Sequence, residues 1–169
     1  MITSIGITAS REGLSDIQRR ALTTFLHRAR MAGASRFHHG CCVGGDEIGA
    51  QIAYNLGYRV IGHPPVKTEL MTEVFSHELR EPKGYLERDR DIVHETNALV
   101  GLPNRPEVLR GSGTWYTIRY ARQMNRARLI LMPNGQLVDY IGVEPYYWPL
   151  VGESAARTAI TDRRFGGGA

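Results

Sequence analysis

Cysteine is scarce in this 169-residue chain, which has only the adjacent pair Cys41 and Cys42. Neighbouring cysteines cannot staple a framework, so a cross-linked secreted scaffold is excluded and a reducing compartment is expected. Long apolar runs are missing too. No stretch approaches the roughly 18–20 apolar residues that a membrane helix needs. The opening MITSIGITASR has no basic segment followed by a long apolar one, so a secretory signal is not expected. These absences predict a cytoplasmic protein with no membrane partner. Lysine is nearly absent, with Lys67 and Lys83 set against 19 arginines. Internal repeats and blocks of like charge are lacking as well. Arginine forks suit phosphate and carboxylate, but scattered arginines read first as a solvated surface.

What is present is an ordinary globular composition with a net charge of +4. The length predicts one domain, taken as residues 1–150, with a partly disordered tail over 151–169 that ends in three glycines and an alanine. The aromatic run Pro145-Tyr146-Tyr147-Trp148-Pro149 is expected to dock on the body or on a second subunit, and a homo-oligomer is expected.

Short apolar runs alternate with helical patterns. Ile2–Thr8, Ser35–His39, Tyr58–Gly62, Asn97–Leu102 and Arg128–Met132 read as five strands. Ser15 with Gln18 three residues on reads as a capping box, followed by Ile17, Ala21, Leu22, Phe25 and Ala29 at helical spacing. Further helices are expected after residue 46, over Leu86–His94, and from Thr114 to Met124. Residues 66–84 follow no clear period. This alternation predicts an α/β fold: a three-layer Rossmann-like domain with a mainly parallel five-stranded sheet. In such sheets ligands bind at the carboxyl ends of the strands, where strand order reverses. Thr8–Gly13, His39–Asp46, His63–Pro65 and Asn104–Thr114 fall there.

Two of these loops invite a chemical reading. In Arg110-Gly111-Ser112-Gly113-Thr114 two glycines precede a helix whose first N–H groups and positive dipole end favour an anion. The bland alternative is a turn capped by Thr114. In HHGCCVGGDEIG, residues 38–49, Gly40, Gly44 and Gly45 permit tight turns and Asp46 stands where an N-cap belongs. That loop reads equally as a capped turn or as a ligand loop. A metal reading is disfavoured: zinc cysteines are usually spaced two to four residues apart, and His38 and His39 would point to opposite faces of a strand. No metal and no cofactor are expected, with Cys41 and Cys42 acting as packing residues. Glu87-Arg88-Asp89-Arg90-Asp91 reads first as a solvated charge run, with one arginine able to reach the ligand edge.

Taken in order, Ile7-Thr8-Ala9-Ser10-Arg11, His39-Gly40 with Gly44 and Asp46, Arg88-Asp89-Arg90 and Gly111-Ser112-Gly113-Thr114 resemble the motifs of the SLOG superfamily. This Rossmann-like group includes the "lonely guy" (LOG) phosphoribohydrolases and the DNA-processing protein DprA, and the likeness is closest to its YspA-like branch. It covers about residues 2–133. It implies binding of a nucleotide or nucleotide-derived ligand by Thr8, Ser10, Arg11, His39, Gly40, Gly44, Gly45, Asp46, Arg88, Gly111, Ser112, Gly113 and Thr114, in a sensor or sequestering protein. LOG enzymes place a glutamate three residues after the loop threonine, and here that position is Thr117. The loop also lacks a LOG-like Pro-Gly-Gly, and Asp89 stands where the branch usually has Asn. Were the chain an N-glycosidic hydrolase of nucleoside monophosphates, the second reading, Asp46, Asp89 and Glu95 are its candidate carboxylates, with Asp46 and Asp89 foremost. A nucleic-acid-binding module is the third reading, consistent with a pI near 9.3 and with Trp115-Tyr116 near Arg119 and Tyr120.

Overall fold

The computed structural model describes residues 1–107 and 111–143. Arg110, the aromatic run 145–149 and the glycine tail lie outside the described residues. The chain runs β1 (Ser4–Ala9), α1 (Asp16–Met31), β2 (Arg36–His39), α2 (Gly45–Asn55), β3 (Arg59–Gly62), β4 (Glu78–Leu79), α3 (Tyr85–Glu95), β5 (Ala98–Leu102), α4 (Gly113–Gln123), β6 (Ala127–Leu131) and β7 (Leu137–Ile141). The sheet has seven strands in the order β4-β3-β2-β1-β5-β6-β7, parallel except for β7 against β6.

Seven strands correct the expected five. The five expected strands all form, within two residues of their predicted ends. The two added ones are edge strands. β4 is two residues long and too short to show a period. β7 follows a tight turn in which Met132 N–H donates to the Gln136 carbonyl at 2.9 Å and Gly135 has φ +88°.

Local chemistry explains the long elements. Ser15 and Gln18 form the reciprocal capping box that opens α1, and the Gln18 amide also donates to the Pro103 and Leu131 carbonyls at 2.9 Å. One helix cap thereby ties two strand ends together. Alternation along the strands gives each sheet face its own partners. Ile5, Ile7 and Phe37 pack with Leu22, Phe25 and Leu26 of α1. Gly6, on the opposite face, is crowded by Ile92 of α3 and by the C-cap Thr96, where a Cβ would come within 2.7 Å of Ile92 Cγ2. Leu99 joins Ile92, Val93 and Ala121. α1 and α2 thus cover one face and α3 and α4 the other.

The chain moves outward from β1 through β2, β3 and β4, then returns to place β5 on the free side of β1. Strand order therefore reverses between β1 and β5, which is where a ligand crevice is expected.

Candidate functional site

An open cavity of about 240 Å³ lies at that reversal. The end of β1 and the turn after it contribute Thr8, Ser10, Arg11 and Glu12, the start of α3 contributes Tyr85, Arg88 and Asp89, and the start of α4 contributes Gly111 to Thr114. Asp46 and Cys42 enter from the β2–α2 connection, and Asn104 and Arg105 from the loop after β5. Ten of the residues singled out from sequence, Asp89 included, meet here: Thr8, Ser10, Arg11, Asp46, Arg88, Asp89, Gly111, Ser112, Gly113 and Thr114. His39, Gly40, Gly44 and Gly45 do not line the cavity.

The glycines shape the wall instead of touching its interior. Gly44 has φ +85°, and a Cβ there would overlap the Arg11 carbonyl. Gly45 N–H donates to the Ser10 carbonyl at 2.8 Å, and a Cβ on it would overlap Ala9. These approaches clamp the start of α2 against the turn after β1. Gly44, not Asp46, is the N-cap. Asp46 is the second residue of α2, and its carboxylate accepts the Gly40 N–H at 2.9 Å. His39 is fully buried, with Nε2 2.9 Å from Ser76 Oγ, and its Nδ1 accepts the Cys41 N–H at 3.2 Å. Ser112, not Thr114, caps α4, accepting the Trp115 N–H at 3.3 Å.

The charge run at α3 departs from a solvated face. Arg88 is 5% exposed and Asp89 9%. Arg88 donates to the Gly40 carbonyl and lies 3.0 Å from the Asp89 carboxylate. The nitrogen that faces this carboxylate is Nε, so Arg88 meets the cavity already paired with Asp89. Arg11 and Arg88 both stack on Tyr85, at 5.1 and 5.6 Å from the ring centre. Thr117, where a LOG-type site has its glutamate, is fully buried and donates to the Gly113 carbonyl at 3.0 Å. The same hydroxyl faces Asp89 and favours its charged form.

Burial dominates the acid–base character of this cluster. It raises Asp46 to about 6, against the pull of Arg88. Asp89 is raised by burial too, again opposed by Arg88. Burial raises the Cys42 thiol and pushes Cys41 up to about 12, so neither cysteine is a ready thiolate.

Asp46 gives a stability prediction. Its folded pKa lies above the unfolded value, so the native state binds the extra proton between about pH 4 and 6 and loses stability as pH rises through that window. A rise from the ordinary carboxylate value to about 6 corresponds to about 3 kcal/mol. Urea unfolding of wild type and Asp46→Asn at pH 5 and pH 7.5 should show wild type losing about 1–1.5 kcal/mol more than the variant, since part of the effect is already lost at pH 5.

Sequence reasoning placed Glu12, Asn104 and Arg105 within ligand-edge segments without singling them out, and missed Tyr85. Glu12 pairs with Arg105 at 3.1 Å and accepts from Asn104, closing the cavity from the side of β5. None of these residues carries a pattern beyond its place beside a strand end. Tyr85 opens a helix that sequence starts one residue later.

No family model matches the chain and no curated protein matches it in sequence. Among solved structures, the fold is similar to that of the molybdenum cofactor binding protein from Rippkaea orientalis, with a TM-score of 0.61 at 16% identity over 78% of this chain and 77% of that one. It is similar to DNA processing protein A from Helicobacter pylori, studied for its single-stranded DNA binding, with a TM-score of 0.56 at 13% identity over 94% and 80%. It also resembles the molybdenum cofactor carrier protein from Chlamydomonas reinhardtii, with a TM-score of 0.56 at 17% identity over 78% and 77%. At these identities the likeness establishes the α/β, Rossmann-like fold. No helix among the described residues is long and apolar enough to cross a membrane.

Proposed function

We propose that this chain is a SLOG-type domain that binds a phosphate-bearing, nucleotide-type ligand in the crevice between β1 and β5. The observation that carries this is the convergence of Arg11, Arg88 and the capped start of α4 on one cavity. Two guanidinium groups and a helix N-terminus favour a phosphate. Asp46 and Asp89 supply acceptors for sugar or base donors. A volume of about 240 Å³ is below the roughly 300–1,000 Å³ of pockets that enclose drug-sized ligands. The phosphate and sugar sit inside, with the base at the mouth beside Tyr85. Named ligands of two similar folds add the molybdenum cofactor to the candidates.

Gly113 provides the test. No atom of the described residues lies within 4 Å of a Cβ at this position, and an acid in the first turn of a helix is favourable. Gly113→Asp should therefore fold as stably as wild type while losing phosphate-ligand binding by at least about 30-fold, the scale of leaving a charge opposed in a desolvated site. Calorimetry across adenosine, guanosine and cytidine monophosphates, the molybdenum cofactor and single-stranded DNA checks both ligand class and variant. A folded variant with unchanged affinity overturns the site.

The hydrolase reading is second, favoured by two raised carboxyls, Asp46 and Asp89, in the same cavity. Free base released during the same incubations, and lost in both Asp46→Asn and Asp89→Asn, would assign it.

A further inference from the structure

Away from the cavity, three side chains converge that the binding site does not use. His38 is the third residue of β2, His63 follows β3, and Glu95 ends α3. Parallel pairing of β2 with β3 sets His38 opposite Ile61, so the ring after Gly62 reaches back toward it. His38 Nδ1 is 3.0 Å from His63 Nε2 and 3.9 Å from Glu95 Oε2. One ligand atom from each of the three lies within 4.8 Å of the others. None of the three lines the cavity between β1 and β5.

We propose that His38, His63 and Glu95 form a binding site for a divalent transition-metal ion of the zinc class. Zinc bonds to nitrogen and oxygen of about 2.0–2.2 Å at tetrahedral angles put donor atoms about 3.3 Å apart. The observed 3.0 and 3.9 Å bracket that spacing, so small side-chain shifts complete it. Two imidazoles and one carboxylate suit zinc, cobalt or nickel better than calcium or magnesium, which prefer all-oxygen sets. Both rings are buried, at 2% and 1% exposure, and so are held in place. His38 protonated at Nε2 and His63 at Nδ1 turns both lone pairs toward the gap.

The surroundings supply orientation and access. Arg80 donates to Glu95 Oε2 from Nε at 2.8 Å and from its terminal nitrogen at 2.6 Å. That is the kind of outer contact that fixes a ligating carboxylate. Arg80 is a cation near a cation site, and it is shared between Glu95 and Glu78. The Glu95 side chain is 34% exposed, which gives an ion a route in. Three protein ligands leave a fourth position for water, the arrangement of reactive rather than purely structural zinc. The competing account is a plain hydrogen bond between the two rings. It uses the two rings only and leaves Glu95 to Arg80; either account leaves the buried His38 Nε2 without a partner among the described residues. The site departs from the sequence expectation of no metal, which weighed Cys41 and Cys42 and did not place His63 or Glu95 beside His38.

The test uses the full chain without an affinity tag, stripped with chelator and titrated with cobalt(II), whose visible absorption reports tetrahedral nitrogen and oxygen ligation. One cobalt per chain should bind, be displaced by zinc, and bind at least about tenfold more weakly in Glu95→Ala, consistent with losing one ligand of three. Glu95 is at the surface, so this variant should fold, which circular dichroism checks. His63→Ala should abolish the band. No saturable binding in wild type, or wild-type affinity in folded Glu95→Ala, overturns the site.

Discussion

Arg88→Met is expected to weaken binding of phosphate-bearing ligands by roughly 30-fold to several thousand-fold, the 2–5 kcal/mol cost of truncating a buried, hydrogen-bonded charge. The substitution keeps an apolar stem of similar length and removes the guanidinium. Three groups depend on it. The Gly40 carbonyl loses a donor, Asp89 loses its cation at 3.0 Å, and Asp46 loses the charge that restrains its pKa. Two buried carboxyls then face each other unpaired, so stability falls as well, by about 3–5 kcal/mol. Binding and folding can be separated. Arg88→Met combined with Asp89→Asn removes both charges of the pair and should recover much of the stability but none of the affinity. Calorimetry with adenosine monophosphate, beside urea unfolding of all three proteins, reads both quantities. Full ligand affinity in the folded double variant would falsify the role given to Arg88.

The second large effect is structural. Asp139 on β7 accepts from Arg128 Nε at 2.7 Å and from Arg122 Nε at 3.0 Å. Arg128 and Asp139 side chains are 8% and 9% exposed. Asp139→Ala leaves Arg128 buried without its carboxylate and should cost about 3–5 kcal/mol. Arg128→Met with Asp139→Leu should restore at least half of that, because an apolar pair needs no desolvated charge. The two arginines hold the Asp139 carboxyl below its ordinary range despite burial. Its folded pKa is thus below the unfolded value, and its contribution is present above the ordinary carboxylate pKa and lost as pH falls through the folded one. Chemical unfolding of wild type at pH 7 and at pH 3 should show the loss, and Asp139→Asn should already lack it at pH 7.

Periodicity made most of the fold legible. The α1 face, the Ser15 cap and the five longer parallel strands each rest on local pattern, and each formed. β7 left a signal that was passed over. Asn134-Gly135 between the apolar runs 128–132 and 137–141 is strong hairpin chemistry, but a strand whose one inward charge is Asp139 does not look apolar. β4 left none, since its two residues pair only because β3 offers an edge. At the site, glycines and phosphate-loop residues were legible as types but not as roles. Gly44 and Gly45 are small because Arg11 and Ala9 press on them, a long-range fact. Arg88 was legible as a ligand residue through the family resemblance, while its charge run read first as solvated because such runs usually are. Its burial follows from the tertiary position of α3. His38 and His63 lie 25 residues apart, and only parallel pairing of β2 with β3 makes them neighbours.

β1 lies at the middle of the sheet, hydrogen-bonded to β2 on one side and β5 on the other. Thr3 and Ser4 reach Asn97 across more than 90 residues of chain. The first strand made is therefore among the last to be enclosed. While the chain is synthesised, β1, α1, β2, α2 and β3 can associate, but the side of β1 that bounds the crevice stays open until residues 98–102 arrive. Long loops must close before those contacts return any free energy, which places this topology among slower-folding architectures. The crevice between β1 and β5 is then a late-forming region, and its Arg11 and Arg88 come together only in the final docking of the two halves.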